Sequence, residues 1–160
     1  MSRLPNENHV DAAYRTYEAL CEAIDGEYKA RATYRAVITA FGPVRPFSNI
    51  VFAEQRHIDA LLTQFRRLEL EPPSDHWDGQ VAAPPSLAEA CRLGVQSEID
   101  NAALYDRLVA MTEDRHVLAV LAALRKASAE RHLPAFTRCM QRGGRCSGRR
   151  RNDARHDDGC

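Results

Sequence analysis

Apolar residues recur along this chain at intervals of three and four, the spacing that places them on one face of an α-helix. The pattern falls into four long segments. The first covers residues 9–41, with a stripe through Val10, Tyr14, Tyr17, Leu20, Ile24, Glu27, Tyr34, Ile38 and Phe41. Gly42-Pro43 ends it, as Gly and Pro do at helix C-termini. The second runs from Phe47 to about Leu70 through Phe47, Ile50, Glu54, His57, Leu61, Phe65 and Leu68, and Pro72-Pro73 closes it. Ser86-Leu87-Ala88-Glu89 has the form of a capping box and opens the third. Its stripe is Leu87, Cys91, Gly94, Glu98, Ala102, Tyr105 and Val109. Residues 112–115 make the turn and cap before the fourth, whose stripe is Val117, Leu121, Leu124, Ser128, His132 and Phe136, ending at Gly143-Gly144. No segment alternates with the two-residue period of a strand, so the pattern predicts an all-α fold, a four-helix bundle.

The connection over residues 71–86 holds four prolines, Gly79 and Trp77. It is long enough to cross from one end of a bundle to the other between helices 2 and 3, with Trp77 as its anchor. The expected organisation is a short N-terminal extension (1–8), the bundle (9–141) and an Arg-rich tail (142–160). In the tail arginines and aspartates interleave with almost no apolar residues, the composition of a disordered, solvated segment.

Composition narrows the function classes. The net charge of the 160 residues is near zero, which gives no electrostatic reason to expect nucleic acid. No apolar run approaches the roughly 20 residues that span a bilayer. Met1 to His9 lacks the apolar core of a signal peptide, so a cytoplasmic location is the expectation. The five cysteines are scattered and do not form a disulfide framework. Cys21 and Cys91 suit small core positions, and the spacing of Cys139 and Cys146 matches no strong zinc pattern.

The chemistry lies in the stripes themselves. Glu27, Glu54 and Glu98 occupy inward positions on three helices, and His57 and His132 do so on two. Glu54 and His57 share a face because they are three residues apart. A buried carboxylate is costly unless paired or bound to metal. One Glu from each of two helices, with Glu-x-x-His from each of the other two, is the ligand set of a dimetal carboxylate site in a helical bundle. Carboxylates bridge two cations and offset their charge, while imidazoles fill terminal positions on iron or manganese. Tyr34 and Tyr105 share the stripes as hydrogen-bond partners for such ligands.

The residues 27–34 (Glu-Tyr-Lys-Ala-Arg-Ala-Thr-Tyr), Phe41-Gly42-Pro43, Pro46-Phe47-Ser48-Asn49-Ile50 and Glu54-Gln55-Arg56-His57 resemble the ferritin-like superfamily. The nearest likeness is to the domain of unknown function 2202 family, with rubrerythrin a more distant relative; Glu98-Ile99-Asp100 and residues 130–136 extend it, to about residues 20–140. The resemblance implies a ferritin-like bundle and a diiron or dimanganese centre. It implies no particular reaction.

The fourth helix departs from the full pattern. A second Glu-x-x-His would place glutamate at 129, where the residue is Ala129. Glu130 lies about 200° around an ideal helix from His132 and faces away unless a π-bulge shifts the register. Three forms of the site stay open: a dimetal site with an unusual ligand, a single-metal site, or a vestigial one. The functional expectation is metal-centred redox chemistry on peroxide, oxygen or ferrous iron, with electrons from a separate donor protein, in a monomer or homodimer. The alternative is a non-catalytic bundle serving as an interaction module. Iron storage is a third reading, which needs a cage for which the sequence shows no means of assembly.

Overall fold

The structure, a computed structural model, describes residues 5–143. Nearly all of the expected tail, with Cys146 and Cys160, lies outside the described residues. Among the described residues every regular element is helical: α1 (Pro5–Phe41), α2 (Phe47–Arg67), α3 (Leu87–Val109), α4 (Arg115–Ala127), a π-helical turn (Ser128–His132) and α5 (Leu133–Gln141). The last three stack end to end into one rod, so four rods make the bundle. No helix among the described residues is long and apolar enough to cross a membrane.

The ends follow from local chemistry. α1 is helical already at Pro5, the first described residue, and so reaches beyond the expected start at residue 9. It stops where Gly42 adopts φ 82° and returns its N–H to Ile38. α2 ends at Arg67, earlier than the expected Leu70. There Glu69 takes the left-handed region (φ 56°), and the Leu70 N–H reaches back to the Phe65 carbonyl at 2.9 Å. That is a Schellman closure with a glutamate where glycine is usual. At α3 the Ser86 hydroxyl accepts from the Glu89 N–H at 3.1 Å, as the capping box predicts, while the Glu89 carboxylate turns to Arg92. Asp114 caps α4 through the N–H groups of His116 and Val117, both at 3.0 Å.

Contacts between rods fix their directions. Phe47 packs on Tyr34 and Phe65 on Tyr17, so α2 runs antiparallel to α1. Tyr34 reaches Glu98 and Tyr105 reaches Glu27, so α3 also runs antiparallel to α1. α2 and α3 therefore point the same way, and the segment joining them must travel back along the bundle. It does so beside α1: Asp75 meets Arg31 at 2.5 Å, Asp78 meets Arg35 at 2.9 Å, and the Trp77 indole donates to Asp25 at 2.9 Å. Trp77 thus anchors the connection as expected, with the Lys29 ammonium 5.0 Å over its ring.

The apolar interior is divided. One cluster gathers Leu20, Ile24, Ile58, Phe65, Leu108 and Leu121; the other gathers Tyr34, Phe47, Ile50, Cys91 and Phe136. On α2, α3 and the fourth rod the acidic or imidazole residues of the stripe fall between the two, with Glu54 and His57 between Ile50 and Ile58, Glu98 between Cys91 and Tyr105, and His132 between Leu124 and Phe136. A polar layer crosses the core.

Two expectations change. Val10 and Tyr14 are 64% and 58% exposed rather than part of the buried stripe. α1 has 37 residues against 21 in α2, about 55 Å against about 32 Å, so its first turns overhang the partners that would cover them. Cys91 and Cys139, one on α3 and one on α5, are joined by a disulfide rather than standing as separate cysteines. Their Cα atoms are 5.6 Å apart, within the normal bridging range.

Candidate metal centre

All five predicted ligands enter the polar layer. Glu27, Glu54, Glu98 and His132 are at most 4% exposed and His57 is 9% exposed. Each sits mid-helix, where the backbone is rigid and the side chain's direction is set by the helical turn.

The cluster is two triads that share one carboxylate. Glu27, Glu54 and His57 each offer a donor atom within 4.8 Å of the others, and so do Glu54, Glu98 and His132. His57 Nδ1 lies 3.1 Å from Glu27 Oε2 and 3.2 Å from Glu54 Oε2. His132 Nδ1 lies 3.3 Å from Glu54 Oε1 and 3.6 Å from Glu98 Oε1. Glu54 thus turns one oxygen to each histidine. The two imidazole rings stack with centroids 5.5 Å apart and planes 20° from parallel.

Two tyrosines hold the outer carboxylates. Tyr34 donates its hydroxyl to Glu98 Oε1 at 2.9 Å, and Tyr105 donates to Glu27 Oε1. Burial, then the charges of Glu98 and Glu27 respectively, push both phenols well above their ordinary range, so each remains a donor. Arg31, one turn beyond Glu27, donates to Gln55, the neighbour of Glu54, and to Asp75. This clasp ties the connection to the two helices that carry Glu27 and Glu54. Its spacing from Glu27 is the only sequence signal that could have found it.

Protonation follows from crowding in a dry layer. Burial, reinforced by the Glu54 charge, pushes the Glu27 carboxyl up to about 8. Glu54 moves the other way: burial opposes its ionisation, but the Glu27 carboxyl and the two imidazoles outweigh it and hold it far below the carboxylate range. Burial alone would lower both imidazoles, yet Glu27 and Glu54 push His57 up to about 10, and Glu54 and Glu98 push His132 up to about 9. Without a cation, then, protons carry the positive charge of the layer. A bound metal takes over that role and releases them.

The donors suit such an ion. Carboxylate oxygens and imidazole nitrogens are the ligands of iron, manganese and zinc. Among the described residues, three of the four buried side-chain polar atoms without a hydrogen-bond partner belong to this cluster: Glu54 Oε1, Glu98 Oε2 and His132 Nδ1. An orphaned buried atom costs about 1–3 kcal/mol. Three such atoms on the residues of one buried triad make an arrangement that a cation would relieve.

The fourth rod explains the missing carboxylate. The π-turn does form: the Leu133 N–H bonds the Ser128 carbonyl, one residue further than in an α-helix. Pro134 accounts for it locally, since proline lacks the N–H that would bond the Glu130 carbonyl and its ring crowds that carbonyl. The turn does not bring Glu130 inward. Glu130 is 63% exposed in its side chain and lies 3.9 Å from Lys126, so it is not part of the cluster. Nor does Ala129 hold the inward position: it is half-buried, and Ser128 is the buried residue one wide turn before His132. The stripe, in which Leu124, Ser128, His132 and Phe136 step by four each time, runs wider than the α period of about 3.6.

No family model and no curated protein matches this sequence. Two solved structures share its fold. A hypothetical protein of Methanococcus jannaschii aligns over 90% of this chain and 85% of its own, with TM-score 0.71 and 21% identity. A conserved hypothetical protein of Mycobacterium tuberculosis aligns over 80% of this chain and 92% of its own, with TM-score 0.65 and 18% identity. At such identities the likeness speaks for the helical fold alone.

Proposed function

We propose that this chain is a ferritin-like four-helix bundle, with the segment between α2 and α3 as its crossover, that binds a pair of iron or manganese ions in its polar layer. The single observation that carries this reading is Glu54, shared by two buried triads, whose Oε1, with Glu98 Oε2 and His132 Nδ1, has no hydrogen-bond partner. Glu27 and His57 would hold one ion, Glu98 and His132 the other, and Glu54 is the carboxylate the two triads would share. Once bound, such a pair supplies one-electron steps suited to peroxide, oxygen or ferrous iron. The chain's own residues orient the carboxylates through Tyr34 and Tyr105, exclude bulk water through the two apolar clusters, and hold protons on Glu27 and the imidazoles until the ions arrive. Electrons come from a separate protein. The resemblance to the domain of unknown function 2202 family and rubrerythrin agrees with a metal-binding bundle.

The test is metal analysis of protein purified without chelator, then again after anaerobic loading with ferrous iron and with manganese. The expected result approaches two ions per chain. A content that stays far below one after loading refutes the reading. A second reading, a non-catalytic bundle with a vestigial layer, is favoured by one observation: Ser128 stands where a fourth carboxylate would be buried. Under it, the loaded content stays low and the fold melts at the same temperature with and without metal.

A further inference from the structure

The polar layer is not sealed on every side. Between α1 and α3, beside the cluster, lies a cavity of about 340 Å³. Small residues line it on both helices: Gly26 and Ala30 on α1, and Ala90 and Gly94 on α3. Each pair is four residues apart, so each helix presents one flat face. Gly94 serves twice. A Cβ there would stand 2.5 Å from the Phe136 ring, so the glycine lets that ring close against α3. Tyr34, Val37 and Phe47, all buried, give the cavity an apolar wall.

Its inner end is Tyr34. The ring lines the cavity, and the hydroxyl donates to Glu98 Oε1 at 2.9 Å. Glu98 Oε2 is buried without a partner. One side chain therefore stands between the cavity and the carboxylate cluster. The rim is polar but carries no net charge: Lys29 and Asp100 oppose each other, and Thr33, Gln96, Ser97 and Asn101 are neutral. Neither an anion nor a cation is favoured there. The volume falls in the range of small-molecule sites and is about ten times what a water-sized reactant occupies.

We propose that this cavity is the substrate pocket of the centre and takes a small organic molecule with an apolar body and one uncharged hydrogen-bonding end. The assignment rests on the metal-centre reading and narrows it, because a pocket of this size and lining is superfluous for peroxide, oxygen or ferrous iron. The apolar body lies against Val37, Phe47 and the Tyr34 ring, and the polar end meets the neutral rim groups or the Tyr34 hydroxyl.

The probe is a series of 1-alkanols from butanol to decanol, titrated by calorimetry and NMR into full-length protein with and without loaded metal. Binding is expected to saturate and to strengthen about fourfold per added methylene until the cavity is full, then level off. Ser97→Trp, placed at the half-buried rim, is expected to weaken the best alkanol at least tenfold while leaving metal content and melting temperature unchanged. Thr33→Trp on the facing helix repeats the test should the first variant fold poorly. Absence of saturable binding, or equal binding in wild type and both tryptophan variants, overturns the proposal. Alkanol binding in a protein that takes up no metal keeps the pocket and removes the metal reading. Metal uptake without alkanol binding removes the pocket alone.

Discussion

The two halves of the polar layer are built from the same residue types and solve burial differently. In the half made by Glu27, Glu54 and His57, one imidazole nitrogen lies within hydrogen-bond distance of both carboxylates, and Tyr105 holds the far oxygen of Glu27. In the half made by Glu54, Glu98 and His132, the tyrosine contact to Glu98 is kept but Glu54 Oε1, Glu98 Oε2 and His132 Nδ1 make no hydrogen bond. The first half is satisfied by protons alone; the second is not. A cation entering the first must break two hydrogen bonds of His57, whereas in the second it displaces only the longer ion pairs of His132 with Glu54 and Glu98, at 3.3 and 3.6 Å. The second half should therefore fill first.

The largest effect expected is that of the shared ligand. Glu54→Ala should abolish uptake in both halves and leave two buried imidazoles without their common partner, destabilising the metal-free protein by about 3 kcal/mol. Metal analysis and urea unfolding read the two effects; retention of one full equivalent of metal would break the shared-carboxylate arrangement. Next come the histidines, compared with each other. His132→Ala should remove the tighter of two binding events and His57→Ala the weaker, as resolved by stepwise titration. The reverse order would show that orphaned atoms do not decide which half fills first. Smaller shifts are expected from the tyrosines: Tyr34→Phe should weaken only the tighter event, and Tyr105→Phe only the weaker, each by about 10–100-fold. An equal effect on both events would mean that the halves act as one.

A control outside the layer gives the smallest effect. Asp114→Ala removes the α4 cap and should lower stability by about 1 kcal/mol with both binding events unchanged. Partial burial opposes ionisation of Asp114, but the Val117 N–H, Arg67 and the His116 N–H outweigh it and hold the carboxyl below its ordinary 3.8. A depressed folded value means the contribution is present above that pH and lost as pH falls through the folded value. The wild-type and variant curves should therefore converge in acid.

The helical architecture and the inward placement of Glu27, Glu54, His57, Glu98 and His132 were legible because both rest on a period of about 3.6 residues, and the stripe that buries Leu61 and Phe65 also buries Glu54 and His57. Position along the helix was less legible than face. Val10 and Tyr14 continue the stripe of α1 faithfully, yet no partner helix extends far enough to cover them. Ser128 lies buried as its place in the stripe predicts and Glu130 faces out as on an ideal helix, but the wide turn makes Ser128, not Ala129, the residue that stands inward before His132. The cysteine bridge had no local signal at all. Its two residues are 48 apart in sequence, and only the packing of α3 on the fourth rod brings them together.

That bridge has a consequence for how the molecule breathes. Cys91 lies seven residues before Glu98, and Cys139 seven after His132, two turns in each case. The helices bearing Glu98 and His132 are thus riveted together, while α1 and α2 meet each other, and meet α3 and the fourth rod, through packing and polar contacts alone. Thermal opening of the core should run along the unriveted seam, parting the first pair of helices from the second, and amide exchange should be faster in α2 than in the stretch of α3 between Cys91 and Glu98. Ions would then enter from the side that yields and come to rest against the side that does not.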